Sequence, residues 1–415
     1  MSRRTVQRKV ISLEDSAKLK PTTKPDYRYR LNVFYKWTGI IKNDIDLISM
    51  DKGDLEDLIV SYTHHLNNRV KSKEISANTV PKMYRGLKLT LVLNGRENDI
   101  RWKMIEALQP RSVKRGGYRA WSTHQVEVML SLTAVKRTIA IIHFMASTGA
   151  RIGAFNDPLQ MRHLVTMSHN GMDYYAVLIY ADEDETIEEK DIRLSTAEKT
   201  EYVEGESYFA FLTPEAKAAL DDYHNERKRK GEVFDEYTPL FGHDNKHHKG
   251  HDSFSQLTGD SVSNIIQELI VGKNPKTRPD GGKTARHPDL QRKKTGRTYD
   301  IQKDHGFRKR FNTILKLKSE VNSNIAEKII GHKNGLDGVY FTPTRQECFA
   351  EFVKAVEVLT IDESMRKEIE NARLQSELDS KSQLEKQVKL LEVRAERQDR
   401  QIKKLQKQAA QQKTI

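Results

Sequence analysis

Three residue types suited to phosphate chemistry lie close together in the later part of the chain. His305 and Arg308 are three positions apart, so on a helix they project from one face and could meet the same phosphate. His332 follows Gly331 at the end of another predicted helix, and Tyr340 lies shortly beyond it. A tyrosine that attacks phosphorus conserves the bond energy in a covalent ester, and the planar fork of arginine binds two phosphate oxygens while staying protonated. Each residue is common by itself, but their order and spacing together indicate phosphoryl transfer.

A second arginine, Arg151, lies upstream in the segment STGARIGAF (147–155). Gly149 permits a tight turn, and a new helix is predicted to begin at Arg151, so helix amides and the guanidinium could face one anion together. An ordinary arginine at a helix start is the alternative interpretation. Because charge on the phosphate oxygens needs donors already in place and the leaving oxygen needs an acid, the complete set would contain two arginines, two donors or bases, one acid and one tyrosine.

The composition indicates a polyanionic partner. The formal net charge is +13 and the pI is near 9.4, which suits nucleic acid or an anionic membrane surface. No run of about 18 apolar residues is present, so no membrane span is predicted, and residues 1–24 lack the apolar core of a secretory signal. The single cysteine, Cys348, excludes an internal disulfide and a cysteine-based metal cage. We therefore expect a cytoplasmic, nucleoid-associated protein.

The pattern of apolar and charged residues divides the chain into five segments. They are a flexible basic arm (1–24), an all-helical domain (25–110), a basic linker (111–122), a domain carrying the candidate site (123–360) and a C-terminal extension (361–415). The clearest helix in the first domain is 51–70. The second domain combines helices, one of them buried around Lys136–Met145, with strands at 174–183 and 207–215. The predicted fold class is therefore mainly α with a small β-sheet.

Two loops have unusual compositions. Residues 243–252 hold four histidines, three of them at four-residue steps, so a metal-binding helix face is one interpretation. The glycines and polar residues around them favour a solvated loop, and no metal is expected. Residues 272–297 are rich in Gly, Pro, Lys and Arg, which predicts a long basic surface loop.

The C-terminal extension is predicted to form a coiled coil that pairs subunits. Alternating steps of four and three residues, as in a heptad seam, run through Leu384, Val388, Leu391, Ala395, Gln398, Ile402 and Leu405. The seam spans about three heptads and has one polar core position. A solitary charged helix is the alternative.

Residues 123–355 resemble the catalytic domain of the tyrosine recombinases, the phage integrase family, and are most similar to archaeal virus and mobile-element integrases. The resemblance rests on the segments TGARIGAF (148–155), LTPEA (212–216) after a β-hairpin, HGFRKRFNT (305–313) and GLDGVYFTPT (335–344). It implies a core-binding domain for 25–110, a 3′-phosphotyrosyl intermediate and no metal, nucleotide or other cofactor. The implied partners are double-stranded recombination sites and further copies of the chain, as a tetramer in the synaptic complex or a coiled-coil-assisted dimer.

The resemblance also implies roles for single residues. Arg151 matches the family's first arginine, and His305 with Arg308 matches its HxxR pair. His332 matches its Gly-His histidine, and Tyr340 matches its nucleophile. The family's general acid is a lysine on a hairpin turn, for which Lys199 is the best match and Lys190 the competitor. The cations expected to contact DNA are Lys114, Arg115, Arg119, Arg292, Lys293, Lys294, Arg297, Lys309 and Arg310.

Two positions depart from the family pattern. The family usually has its tyrosine nine positions after the Gly-His histidine, where this chain has Phe341, and Tyr340 is at eight. Ala154 stands where an acidic residue is commoner, a change that archaeal members share. Should Tyr340 not reach the phosphorus, the protein would bind DNA without cleaving it.

The predicted activity is site-specific DNA strand breakage and rejoining, for integration or excision of a mobile element. A type IB topoisomerase and a host chromosome-dimer resolvase use similar residues and are alternatives. A non-catalytic DNA-binding or architectural protein is an alternative of another class. An RNA-binding scaffold is the least favoured, because the sequence has no aromatic-rich RNA-binding signature.

Overall fold

The structure is a computed structural model that describes residues 9–19, 23–112, 117–182, 185–195, 207–243, 255–295, 298–332 and 341–412. The chain divides into two compact units, Met1–Arg115 and Gly116–Ile415. Each unit has buried apolar clusters of its own, which is the physical basis of a domain.

The first unit is helical throughout its described elements. Its helices are α1 (Lys24–Thr38), α2 (Asp44–Ser49), α3 (Lys52–Lys71), α4 (Val80–Met83), α5 (Arg85–Leu93) and α6 (Trp102–Leu108). The start of α3 is capped by Asp51, whose carboxylate accepts a hydrogen bond from the amide of Gly53 at 2.8 Å. The apolar stripe predicted for this helix is fully buried at Leu55, Ile59, Tyr62 and Leu66.

The second unit combines helices with a small sheet. Its three antiparallel strands are β1 (Leu164–His169), β2 (Met172–Ile179) and β3 (Tyr208–Leu212), in the order β1-β2-β3. Its helices are α7 (Thr123–Ser131), α8 (Lys136–Thr148), α9 (Ile187–Ser195), α10 (Pro214–Arg229), α11 (Gly259–Val271), α12 (His305–Leu317), α13 (Ser323–Ile330), α14 (Arg345–Val353), α15 (Val356–Leu359) and α16 (Glu363–Gln412). A two-residue ladder pairs β4 (Lys294–Thr295) with β5 (Thr298–Tyr299). The predicted fold class, mainly α with a small β-sheet, is confirmed.

The sheet lies between two helical layers, because side chains alternate between the faces of a strand. One core, shared with α7, α8, α10 and α11, receives Val177, Ile179, Ala210 and Leu212. The other, shared with α12, α13, α14 and α15, receives Ala176, Leu178, Phe209 and Phe211. Covering both faces explains why β2 and β3 are continuous apolar runs in the sequence.

Strand β1 was not predicted from the sequence. It pairs with β2 across a tight turn at Asn170 and Gly171, whose φ angles are 50° and 73°. Positive φ at both central residues is what a two-residue hairpin turn of type I′ requires. Half of the strand is exposed, so its apolar residues are too few to produce a strand pattern.

Helix α8 is buried over most of its surface, as its composition predicted, with nine of its thirteen residues buried. Helix α16 is different: only its first turns, through Met365 and Ile369, pack against the second core, and its later turns expose large apolar side chains. Among the described helices, α16 included, none is long and apolar enough to cross a membrane.

Candidate active site

Arg308 joins three distant segments of the second unit. Its side chain is 4% exposed; Nη1 donates to the carbonyl oxygen of Gly149 at 2.8 Å, and Nη2 donates to that of Ile330 at 2.8 Å. Gly149 follows α8 and Ile330 ends α13, where carbonyls lack partners within the helix and the helix dipole is negative. Burial lowers the pKa of Arg308, but an arginine remains protonated at neutral pH. The guanidinium therefore fixes the ends of both helices beside α12.

Gly149 has the backbone conformation that ends α8. Its φ is +58°, and its amide donates to the carbonyl of Met145 at 3.1 Å. A Cβ at this position would lie 2.7 Å from the ring of Phe311, so the turn packs directly against α12. Gly149, which the sequence predicted to permit a tight turn, therefore also allows the end of α8 to approach α12 closely.

The position of His332 follows from the way α13 ends. Gly331 has φ +71°, its amide donates to the carbonyl of Lys328 at 2.9 Å, and the amide of His332 donates to that of Glu327 at 2.9 Å. This pair of bonds is the Schellman arrangement of a helix C-terminus. It directs the chain back over the last turn, which brings the His332 ring to Glu327.

Glu327 was not predicted as a site residue. Its Oε2 lies 2.5 Å from Nδ1 of His332, and its other carboxylate oxygen pairs with Lys316. Because Nδ1 is engaged in this way, Nε2 is the nitrogen left for a substrate. Burial, followed by the positive charges of Arg308 and Arg151, lowers the pKa of His332 to about 4. A bound phosphate would favour the protonated ring, which could then donate from Nε2.

Arg151 approaches the same turn from another side. It precedes a short 3-10 helix, Ile152–Asn156, and its backbone is extended, with φ −69° and ψ 147°. Its exposed side chain donates from Nη1 to the carbonyl of Gly331 at 3.2 Å. Arg151 and Arg308 are therefore both anchored on the turn that carries His332.

His305, the first residue of α12, is exposed and lines a cleft of about 680 Å³. Arg151, Arg292, Tyr299 and Tyr180 contribute to the same cleft. Partial burial, followed by the positive charges of Arg308 and other cations, lowers the pKa of His305. A neutral imidazole at this position can accept a proton.

Tyr208, the first residue of β3, is a second residue that sequence reasoning missed. It is 8% exposed, and a Cβ at Gly331 would lie 2.3 Å from its ring, so only glycine fits that turn without a shift. Burial raises the pKa of Tyr208 to about 12, with its hydroxyl near Arg308. No local pattern marks it, because its role depends on a turn more than a hundred positions away.

Of the two candidate lysines, the structure describes only Lys190. Lys190 is 5% exposed, and its Nζ donates to the carbonyl oxygen of Ser207 at 2.9 Å and to its hydroxyl at 2.7 Å. The hydroxyl in turn donates to Glu185 at 3.1 Å. Lys190 is therefore buried in the second unit and held at Ser207, the residue before Tyr208. Outside the described residues lie Lys199, Tyr340, Lys114, Arg115, Arg297 and most of the histidine-rich loop.

Two of the cations expected to contact DNA are buried. Arg310 is 3% exposed and donates to the carbonyl oxygen of Leu359 at 2.8 Å, so it holds the chain between α15 and α16. Arg292 is 5% exposed and stacks over the ring of Tyr299 at 4.4 Å, although it does line the cleft. Each of these two arginines therefore has its partners inside the fold.

The other described cations are accessible to different degrees. Arg119 is half exposed and pairs with the buried carboxylate of Asp300 at 2.9 Å. Lys293 is exposed, and Lys309 and Lys294 are partly so. Lys294 also donates to the carbonyl of Gly281 at 2.8 Å. These four cations can still contribute positive charge to a surface around the cleft.

Comparison of the sequence with protein-family models and with curated proteins found no match. Among solved structures, XerA recombinase is similar at 14% identity, over 80% of this chain and 91% of that chain, with a TM-score of 0.32. A lambda integrase dimer bound to a COC′ core site is similar at 12% identity, over 80% and 74%, with a TM-score of 0.45. XerH site-specific recombinase bound to difH substrate is similar at 16% identity, over 79% and 78%, with a TM-score of 0.40.

The arrangement of positive groups is suited to binding an anion. Arg151 and Arg308 both donate to the turn that ends α13, and burial, followed by their positive charges and those of nearby cations, lowers the pKa of His305 and His332. Fixed positive donors of this kind stabilise charge that develops on a phosphate during transfer. Bidentate arginine contacts are suited to phosphate oxygens.

Proposed function

We propose that this chain is a tyrosine site-specific DNA recombinase. The observation that carries the proposal is the attachment of Arg151 and Arg308 to the turn that bears His332, with His305 one helical turn from Arg308. These are the four residues, in the same order, that the sequence motifs single out. We also propose that the protein integrates or excises an archaeal mobile element and acts as a tetramer on paired double-stranded sites.

The proposed step exchanges one phosphodiester for another. The hydroxyl oxygen of Tyr340 attacks the scissile phosphorus, the bond from phosphorus to the 5′ oxygen breaks, and a 3′-phosphotyrosyl ester forms. His305 accepts the tyrosine proton, and Lys199 protonates the leaving 5′ oxygen. Because the ester conserves the bond energy, the reverse attack by a 5′-hydroxyl reseals the strand without ATP.

The remaining residues stabilise charge. Arg151 and Arg308 hold the non-bridging oxygens, and His332 donates to one of them from Nε2. Lys199 is the proposed acid because it is the better match to the family's lysine, and Lys190, which donates to Ser207, is the competitor. Arg119, Lys293, Lys294 and Lys309, with Lys114, Arg115 and Arg297, are proposed to contact the DNA backbone.

The test is capture of the covalent intermediate. Duplexes enriched from a random-sequence pool for binding to the chain would be nicked on one strand, so that the released end diffuses away and the adduct persists. We expect an adduct with the unchanged chain and none with Tyr340→Phe. Tyr237→Phe, which changes a tyrosine that is 55% exposed, serves as the control and should leave the adduct intact.

The other outcomes distinguish the alternatives. An adduct that persists in Tyr340→Phe would show that the nucleophile is another residue. Relaxation of supercoiled DNA without sequence preference would favour a type IB topoisomerase. Specific, salt-sensitive binding with no adduct would favour a non-catalytic DNA-binding protein.

A further inference from the structure

The later turns of α16 expose a line of large apolar side chains. Leu384 is 62% exposed, Val388 47%, Leu391 61% and Ile402 50%. They follow one another at the steps of four and three that continue through Ala395 and Gln398. Such a line winds along one side of a helix and is buried when a second helix packs against it. The residue types along and beside this line indicate which helix would cover it.

The core positions have the chemistry of a two-stranded pair. In the register set by the exposed line, the a positions are Val388, Ala395 and Ile402, and the d positions are Leu384, Leu391, Gln398 and Leu405. A β-branched residue at a with leucine at d favours parallel dimers over higher assemblies. The polar Gln398 matches only itself in an in-register pair, which opposes slippage.

The flanking charges select the direction. The e positions are all acidic, namely Glu385, Glu392 and Asp399, and the g positions are Gln387, Arg394 and Gln401. In an antiparallel pair of identical helices, e positions face e positions, so the acids of one copy would oppose those of the other. In a parallel pair, g faces e of the partner, which places Arg394 opposite Asp399 of the second copy. Charge complementarity therefore requires the parallel arrangement.

The first turns of α16 pack against the second core of the second unit. Ile369 is 9% exposed within the second core, and Arg366 donates to the carbonyl of Thr360 at 3.1 Å. The carboxylate of Glu215 accepts hydrogen bonds from the amides of Ile361 at 2.7 Å and Asp362 at 2.9 Å. From Ile369 to Leu384 the helix rises about 22 Å. The seam therefore begins well beyond the part of the helix that packs on its own chain.

We propose that residues 384–405 of two copies of this chain form a parallel, in-register, two-stranded coiled coil. Because both helices then leave their second units from the same end, the two copies of that unit lie at one end of the coil. The pairing depends on α16 alone and stands or falls separately from the proposed DNA chemistry.

The first test measures mass. Sedimentation equilibrium of the full chain across a dilution series should give twice the monomer mass of 47.9 kDa. Leu391→Lys should reduce the mass to that of one chain at concentrations at which the unchanged protein is paired. Leu390→Lys, which changes the neighbouring leucine at 54% exposure outside the seam, should leave the pair intact. Since both leucines are exposed in one chain, neither change should affect folding.

Several results would overturn the proposal. They are a mass of one chain at every concentration, a mass of four chains, equal dissociation by the two lysine substitutions, and a pair that survives Leu391→Lys. Each is incompatible with a two-stranded seam through position 391.

The second test fixes the direction. The natural cysteine, Cys348, is 4% exposed, so the unchanged chain provides the baseline for oxidation. In a parallel pair, Leu384→Cys should crosslink to its own copy, and Ile402→Cys should do the same, because identical core positions meet at disulfide distance. A mixture that crosslinks only between positions 384 and 402 would show an antiparallel pair and refute the proposal.

Discussion

Glu327 and His332 are joined across the turn that ends α13, with Oε2 and Nδ1 2.5 Å apart. A carboxylate on one ring nitrogen fixes the tautomer and orientation of a histidine ring. We therefore expect Glu327→Gln to slow formation of the tyrosyl adduct by up to about a hundredfold, the scale of a misplaced catalytic group. Removal of the negative charge should also lower the pKa of His332, which an NMR titration of the ring would measure.

Glu351→Gln is the matched control for this prediction. Glu351 is similarly shielded, pairs with Lys354 and accepts from the amide of Asn322, but has no contact with His332 in the described residues. Equal effects of the two substitutions, or an unchanged His332 titration in Glu327→Gln, would show that Glu327 has no positioning role.

Substitution of Arg308 and of Arg151 should affect the stability of the protein differently, but both substitutions should abolish the adduct. Arg308→Ala leaves the carbonyls of Gly149 and Ile330 buried without their donor, at a cost of about 1–3 kcal/mol for each. Arg151→Ala removes one exposed contact and should change the free energy of unfolding by less than about 0.5 kcal/mol. Urea denaturation measures both, and both variants should lose the adduct. Equal stability losses would contradict the structural role assigned to Arg308.

Gly331 should be more sensitive to alanine than another glycine with the same backbone. Gly331 and Gly171 have φ of +71° and +73°, so alanine at either position meets the left-handed penalty of about 1–2 kcal/mol. A Cβ at Gly171 meets nothing within 4 Å, whereas one at Gly331 lies 2.3 Å from the Tyr208 ring. We expect Gly331→Ala to lower the free energy of unfolding by a further amount of about 1–3 kcal/mol. Equal losses in the two variants would show that Tyr208 yields freely.

His224 should make stability depend on pH. Burial lowers the pKa of His224 to about 4, and its Nε2 donates to the carbonyl of Leu240 at 3.0 Å. In the unfolded chain the pKa of histidine is about 6.5. The stabilisation is therefore complete above that value and declines as the pH falls from about 6.5 to about 4, because only the unfolded state takes up the proton. The total decline from this residue is about 3 kcal/mol.

The substitution that tests this is His224→Gln, which keeps a donor for the Leu240 carbonyl but does not titrate. Its free energy of unfolding should vary less with pH across that window than that of the unchanged chain. His169→Gln, which changes an exposed histidine, should keep the original pH dependence. The same slope in His224→Gln would contradict the assignment.

The sequence by itself determined the features that depend on a local pattern of residues. The apolar stripe of α3, the all-round apolar surface of α8 and the continuous apolar runs of β2 and β3 each fix an element and its burial, because a helix repeats every 3.6 residues and a strand every two. The order of Arg151, His305, Arg308 and His332 could also be read directly. The heptad seam of α16 belongs to the same class of local signal.

The tertiary structure alone decided which charged residues are buried and what they contact. The acceptors of Arg308 lie 159 and 22 positions away, and the carbonyl that holds Arg310 lies 49 positions away. A buried cation is stable only where such partners meet it, and no periodicity records their approach. For that reason the burial of Arg292 and Arg310 was not predicted, Lys190 competed with Lys199, and Glu327 and Tyr208 were not recognised. The place of Arg308 depends on how the ends of α8 and α13 meet α12.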